Sequence, residues 1–89
     1  MSSYELRIVP SARRALGRLP LRFAAAVVAF VQGPLIENPW RVGKPLRDDL
    51  VGLHAARVGM YRVMYRIIET DQVVLVTRID HRADVYRPR

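Results

Sequence analysis

Residues 60–69, MYRVMYRIIE, decide the fold. Tyr61, Val63, Tyr65 and Ile67 alternate with Met60, Arg62, Met64, Arg66 and Ile68, the period-two pattern of a strand whose two faces meet different surroundings. The tyrosine and valine face is a core face. The other carries Arg62 and Arg66 on one side, two pleats apart. An arginine-bearing sheet face is either a solvated surface or a phosphate-binding one, and the alternation alone leaves both open. Outward from this strand, Glu69-Thr70-Asp71-Gln72 reads as a hairpin turn. Residues 73–79 are apolar on both faces, which suits a strand with neighbours on each side. Residues 53–57 form a shorter strand ahead of it. Residues 80–88 form a polar tail with room for one more short strand at 84–86.

The first half of the chain is helical in pattern. After a short alternating strand over residues 4–9, Pro10 stops the strand and Ser11 is a candidate N-cap. Ala12, Ala15, Leu16 and Leu19 then recur on one helical face, with Arg13, Arg14 and Arg18 on the other. Pro20 closes this helix and can open the next. The second helix, over residues 21–32, is apolar all round, so it is expected to be covered on more than one side, by the sheet and by the first helix. Gly33-Pro34 breaks it, leaving at most a last turn to Asn38, and residues 39–50, with Gly43 and two prolines, read as loop. The order predicts a single α+β domain over residues 1–89: an antiparallel β-sheet with an N-terminal helical hairpin packed on one face, in the order β-α-α-β-β-β.

Composition narrows the function classes. The chain of 89 residues is 51% hydrophobic and carries a formal net charge of +7. Fourteen of its fifteen basic residues are arginine, which a GC-rich genome would favour. That bias does not explain why basic residues outnumber acidic ones, so nucleic acid or an acidic protein partner is expected. With no cysteine and two histidines, the chain has no disulfide framework and too few soft ligands for a zinc site. No metal and no cofactor is expected. The opening residues lack the apolar core of a signal peptide, and the longest apolar run, residues 23–31, is too short to span a bilayer. The expected location is the cytoplasm, with no membrane partner.

Besides Arg62, the candidates for chemistry lie in the tail, His81-Arg82-Ala83-Asp84-Val85-Tyr86. Histidine exchanges protons near neutrality, tyrosine stacks on a base or passes a proton, and arginine holds a phosphate. Solvated polar residues near a terminus would read the same way. His54, beside Leu53 and Ala55, is read as structural.

Three segments resemble the RelE/ParE toxin superfamily. They are PSARRALGRLP (residues 10–20), NPWRVGKPLRDDLVGLHAARVGMYRVMYRI (residues 38–67) and IDHRADVYR (residues 79–87). They are similar, in order and at normal spacing, to the family's first helix, to its G-K-P-L … R-x-G-x-Y-R signature and to its H-R-x-D-V-Y ending. The resemblance implies the toxin of a type II toxin–antitoxin system that enters the ribosomal A site and cleaves mRNA. In that reaction, which uses no metal, the ribose 2′-OH attacks the adjacent phosphate and leaves a 2′,3′-cyclic phosphate and a 5′-OH. It further implies a RelB-like antitoxin that wraps the toxin, and operator DNA bound only by the pair. Carried onto this chain, Arg62, His81, Arg82 and Tyr86 are the expected catalytic residues, and Lys44, Arg57, Arg66 and Arg78 the expected RNA-phosphate contacts. The chain departs from the pattern on its second strand, where Leu53 and Ala55 stand at the positions of two family lysines. ParE-type members share the fold, lack the nuclease site and poison DNA gyrase. That is the alternative, with a weakly active antitoxin- and operator-binding module as a third reading.

Overall fold

The computed structural model describes residues 3–81. Strand β1 (Glu5–Ile8) leads into helices α1 (Pro10–Gly17) and α2 (Leu21–Val31), followed by two single helical turns, α3 (Pro34–Glu37) and α4 (Pro39–Val42). Then come β2 (Lys44–Pro45), a 3-10 turn (Asp48–Leu50), β3 (His54–Val58), β4 (Tyr61–Ile68) and β5 (Val73–His81). The five strands form one sheet in the order β1-β5-β4-β3-β2. Strands β2 to β5 are an antiparallel meander, whereas β1 pairs with β5 in parallel. The sheet is therefore mixed, which corrects the antiparallel expectation. Alternation reports which face a residue occupies and carries no information on the direction of the neighbouring strand.

The α+β plan with helices on one face holds. From the helices Ala12, Val27, Val31 and Leu35, and from the sheet Ala56, Tyr61, Val63, Tyr65, Val74, Val76 and Ile79, form one buried cluster. Each fully buried aliphatic side chain there contributes about 1.5–3 kcal/mol. β5 has a partner on both sides, as its two apolar faces predict. The loop expected over residues 39–50 holds a helical turn, a two-residue strand and a 3-10 turn. Ser11 is not the cap of α1: Val9 takes that place with no side-chain cap, and Pro10 fills the first turn, where its missing N–H goes unneeded. The outer side of α2 is not covered. Ala25, Ala26 and Ala29 are exposed, and Leu21 keeps 85% of its surface. The helix is apolar there without an intramolecular partner among the described residues.

Two local devices set the sheet. Residues 59 and 60 form the tight turn between β3 and β4, with Gly59 at φ 59°, the left-handed geometry that matches strand twist in a two-residue hairpin. Between β4 and β5 the register shifts: Met64 pairs with Arg78 and Tyr65 with Val76. Thr77 is the extra residue, its hydroxyl donating to the Met64 carbonyl at 3.3 Å. Such a bulge resets alternation on one strand. Val74 and Val76 before it, and Ile79 after it, all reach the core. Among the described residues no helix is long and apolar enough to cross a membrane.

Candidate functional site

The face of the sheet away from the helices carries two rows of side chains. Residues opposite one another on neighbouring strands share a face with Cβ atoms roughly 4.5–5.5 Å apart. Arg57 on β3 stands opposite Arg62 on β4, and Arg62 stands opposite Asp80 on β5. One pleat away, Lys44 on β2 stands opposite Ala55, Ala55 opposite Met64, and Met64 opposite Arg78. The first row reads Arg57–Arg62–Asp80 and the second Lys44–Ala55–Met64–Arg78. At the β2–β3 end lies a cleft of about 650 Å³. Its walls include Val42, Gly43, Pro45, Leu46 and Ala55, and Lys44, Arg57 and Arg62 bring its positive charge.

The wall at Gly43 is held from the core side. The buried Tyr65 hydroxyl donates to the Pro39 carbonyl at 2.7 Å, and burial pushes its pKa up to about 12. A Cβ on Gly43 would lie 2.2 Å from that hydroxyl oxygen and 2.9 Å from the Ala55 carbonyl oxygen. Only glycine lets β2 approach so closely, and that approach sets Lys44 beside Ala55. His54 lies on the core side of β3, 8% exposed. It stacks on Tyr65 with ring centroids 5.6 Å apart and meets Trp40 edge-on at 5.3 Å. Burial lowers its pKa. Its structural reading stands.

The expected site residues divide. Lys44, Arg57 and Arg62 come together at the cleft. Arg78 lies at the far end of the second row and forms an ion pair with Asp80. Arg66, four residues along β4 from Arg62, reaches toward the loop before β3, where its guanidinium lies 3.0 Å from the position a Gly52 Cβ would take. His81 is the last residue of β5 and stands opposite Tyr61, its ring edge-on at 5.3 Å. Tyr61 packs against Phe23 of α2, so His81 faces the helix side, away from the Arg62 side chain. Arg82 and Tyr86 lie outside the described residues. The sequence reading missed Asp80, which it assigned to the tail by ending the strand at Ile79. The polar–apolar alternation Arg78-Ile79-Asp80-His81 was the available signal.

Like charges placed opposite one another destabilise a sheet. Arg57 stands against Arg62 at the edge of the cleft, and Asp80 on the other side of Arg62 brings a negative charge to the same row. The arrangement can hold a phosphate by two guanidinium forks and an ammonium.

Residues 6–86 match the family model described as the ParE toxin of type II toxin–antitoxin systems, parDE. The chain belongs to this toxin family. Toxin RelG of Mycobacterium tuberculosis is 51% identical to the toxin over 84 residues, 94% of this chain and 97% of the relative. Toxin RelE of the same organism is also 51% identical over 84 residues, 94% of this chain and 87% of the relative. Among solved structures, the RelBE2 toxin–antitoxin complex from Mycobacterium tuberculosis contains a chain similar to the toxin at a TM-score of 0.87 and 48% identity, covering 91% of this chain and 100% of that one. The archaeal RelE–RelB complex from Pyrococcus horikoshii OT3 follows at 0.73 and 25%, covering 91% and 97%. The toxin has a RelE-like fold.

Proposed function

We propose that the toxin is a ribosome-dependent mRNA endonuclease that stops translation in the cytoplasm. The observation that carries this reading is the Arg57–Arg62 pair, held opposite one another at a cleft that Lys44 also lines. Arg62 neutralises the charge that develops on the phosphorane, and its fork suits two non-bridging oxygens. Arg57 and Lys44 hold the scissile phosphate, while Arg66 and Arg78 meet flanking phosphates. Arg82 adds a phosphate contact from the tail, and Tyr86 stacks on or orients a base. The 2′-OH attacks, leaving a 2′,3′-cyclic phosphate and a 5′-OH, and no metal takes part. The ribosome supplies much of the orientation, so positioning and charge stabilisation suffice.

A RelB-like antitoxin is the proposed partner, since the similar toxins from Mycobacterium tuberculosis and Pyrococcus horikoshii were solved as toxin–antitoxin complexes. The uncovered apolar side of α2 and the +7 charge suit an acidic chain that folds on binding. The pair together, not the toxin alone, would bind operator DNA.

Two features favour a second reading, inhibition of DNA gyrase. The matching family is named for ParE, and Leu53 and Ala55 replace the two lysines of the nuclease pattern. A translation reaction followed by primer extension, run beside a gyrase supercoiling assay, separates the two. The nuclease reading expects new mRNA 5′ ends on ribosomes, unaffected by chelation that spares the ribosome's magnesium. It expects a loss of about 10²–10³ in rate for Arg62→Ala with an unchanged melting curve. Supercoiling inhibition without mRNA cleavage would replace it with the gyrase reading.

A further inference from the structure

A metal-free attack by a 2′-OH needs a group to take its proton, and the described face supplies few. The arginines cannot deprotonate in proteins. His81 points to the helix side, and the two lysine positions of the family pattern hold Leu53 and Ala55. Asp80 is different. It occupies the row of Arg57 and Arg62, directly opposite Arg62 across the β4–β5 pair. Its side chain keeps 22% of its exposure. One carboxylate oxygen, Oδ2, is shielded from solvent and meets the Arg78 guanidinium as an ion pair, without a directed hydrogen bond among the described residues. Arg78 is itself 62% exposed in its side chain. A carboxylate oriented by one arginine, beside a second arginine positioned to hold a phosphate, is the arrangement of a base fixed by a third group.

We propose that Asp80 is the general base of this site, taking the proton of the ribose 2′-hydroxyl that attacks the phosphate held by Arg57 and Arg62. The assignment rests on the nuclease reading above. In the step, the O2′–H bond breaks as O2′ bonds to phosphorus, and the proton passes to the Asp80 carboxylate. The P–O5′ bond then breaks. The departing 5′-oxygen is protonated from solvent and Asp80 returns its proton to solvent, which regenerates the carboxylate and leaves the 2′,3′-cyclic phosphate. Arg78 is a positioning residue that holds the carboxylate toward Arg62.

The test is single-turnover cleavage on programmed ribosomes, with ribosome binding measured separately. General bases typically contribute about 10²–10⁴ in rate. Asp80→Asn, which keeps shape and loses basicity, should lose that factor in the cleavage rate while binding the ribosome as the parent does. Asp80→His should recover part of the rate and bring a pH limb near about 6.5, where an imidazole titrates. The charges on Asp80's face are Arg62 from β4, Arg78 on its own strand and Arg57 one strand further. Across β5, α1 carries Arg13 and Arg14, both exposed, and His81 faces Tyr61. A structural role would not create the new limb. The limb reads independently of absolute rate, so it decides the matter even if Asp80→Asn melts early. Cleavage within about threefold of the parent by Asp80→Asn, with Arg62→Ala inactive, would overturn the base assignment and leave the nuclease reading standing, because a general base is worth far more. A parent protein that cleaves nothing on the ribosome would overturn both.

Discussion

Replacing Gly43 by alanine tests whether the cleft is built by close approach of β2 to the core. The backbone there is extended, φ −131° and ψ 178°, so any residue could adopt it and the demand is for space alone. The added Cβ would sit 2.2 Å from the Tyr65 hydroxyl oxygen, 2.9 Å from the Ala55 carbonyl oxygen and 3.0 Å from the ring carbon bearing the hydroxyl. Tyr65 is fully buried and cannot swing away, so β2 must move outward. Overpacking of this kind costs about 1–3 kcal/mol. Disturbing the Tyr65–Pro39 hydrogen bond adds about 1 kcal/mol. In a domain of this size each kcal/mol is worth roughly 4–8 °C, so thermal unfolding followed by circular dichroism should fall by on the order of 10 °C or more. The double variant Gly43→Ala/Tyr65→Phe removes the oxygen that clashes. It should be more stable than the sum of the two single changes by about 1 kcal/mol or more, the range of coupling for residues in contact. A Gly43→Ala protein that melts with the parent, or a strictly additive pair, would refute the steric account.

Other outcomes follow from the same geometry. Burial depresses the His54 pKa, so the unfolded chain binds the extra proton first: stability should be level above about 6.5 and fall as pH drops through and below that value. Denaturant titrations across this range should show the slope, and His54→Phe should flatten it. Lys44→Ala should weaken RNA or ribosome binding and lower the salt dependence by about one counterion, measured by filter binding at several salt concentrations. Removing residues 82–89 leaves the Tyr61–His81 contact in place and takes away Arg82 and Tyr86. It should give a folded protein without toxicity, checked by a melting curve beside a growth assay. Retained toxicity would move the chemistry wholly onto the sheet.

The strand 61–68 and its two faces could be read from the sequence because strand period and burial agree at every other residue up to Tyr65. The helical hairpin was legible for a similar reason, from Ala12, Leu16, Val27 and Val31. The direction of β1 was not, since Tyr4, Leu6 and Ile8 would alternate identically beside a parallel or an antiparallel neighbour. Nor was β2, because two residues are too few for any period to register. Asp80 was hidden by the bulge at Thr77. Past that residue, alternation counted from Val74 and Val76 assigns the wrong face, and only a fresh count from Ile79, flanked by Arg78 and Asp80, recovers the phase that pairing with β4 fixes. The resemblance pointed to Arg62, while the register shows which charges stand beside it.

The parallel pairing of β1 with β5 also bears on when this protein can come into being. Its earliest strand has the latest of the described strands for a partner, so that pairing waits until β5 has left the ribosome that is making it. Contacts between distant parts of a chain delay folding because the loop must close before anything is gained. During synthesis, Arg57 and Arg62 emerge before Asp80 can join their row. A toxin with this topology completes its sheet only once β5 is free to pair, which leaves an interval in which an antitoxin already present can meet the chain before Asp80 joins Arg57 and Arg62.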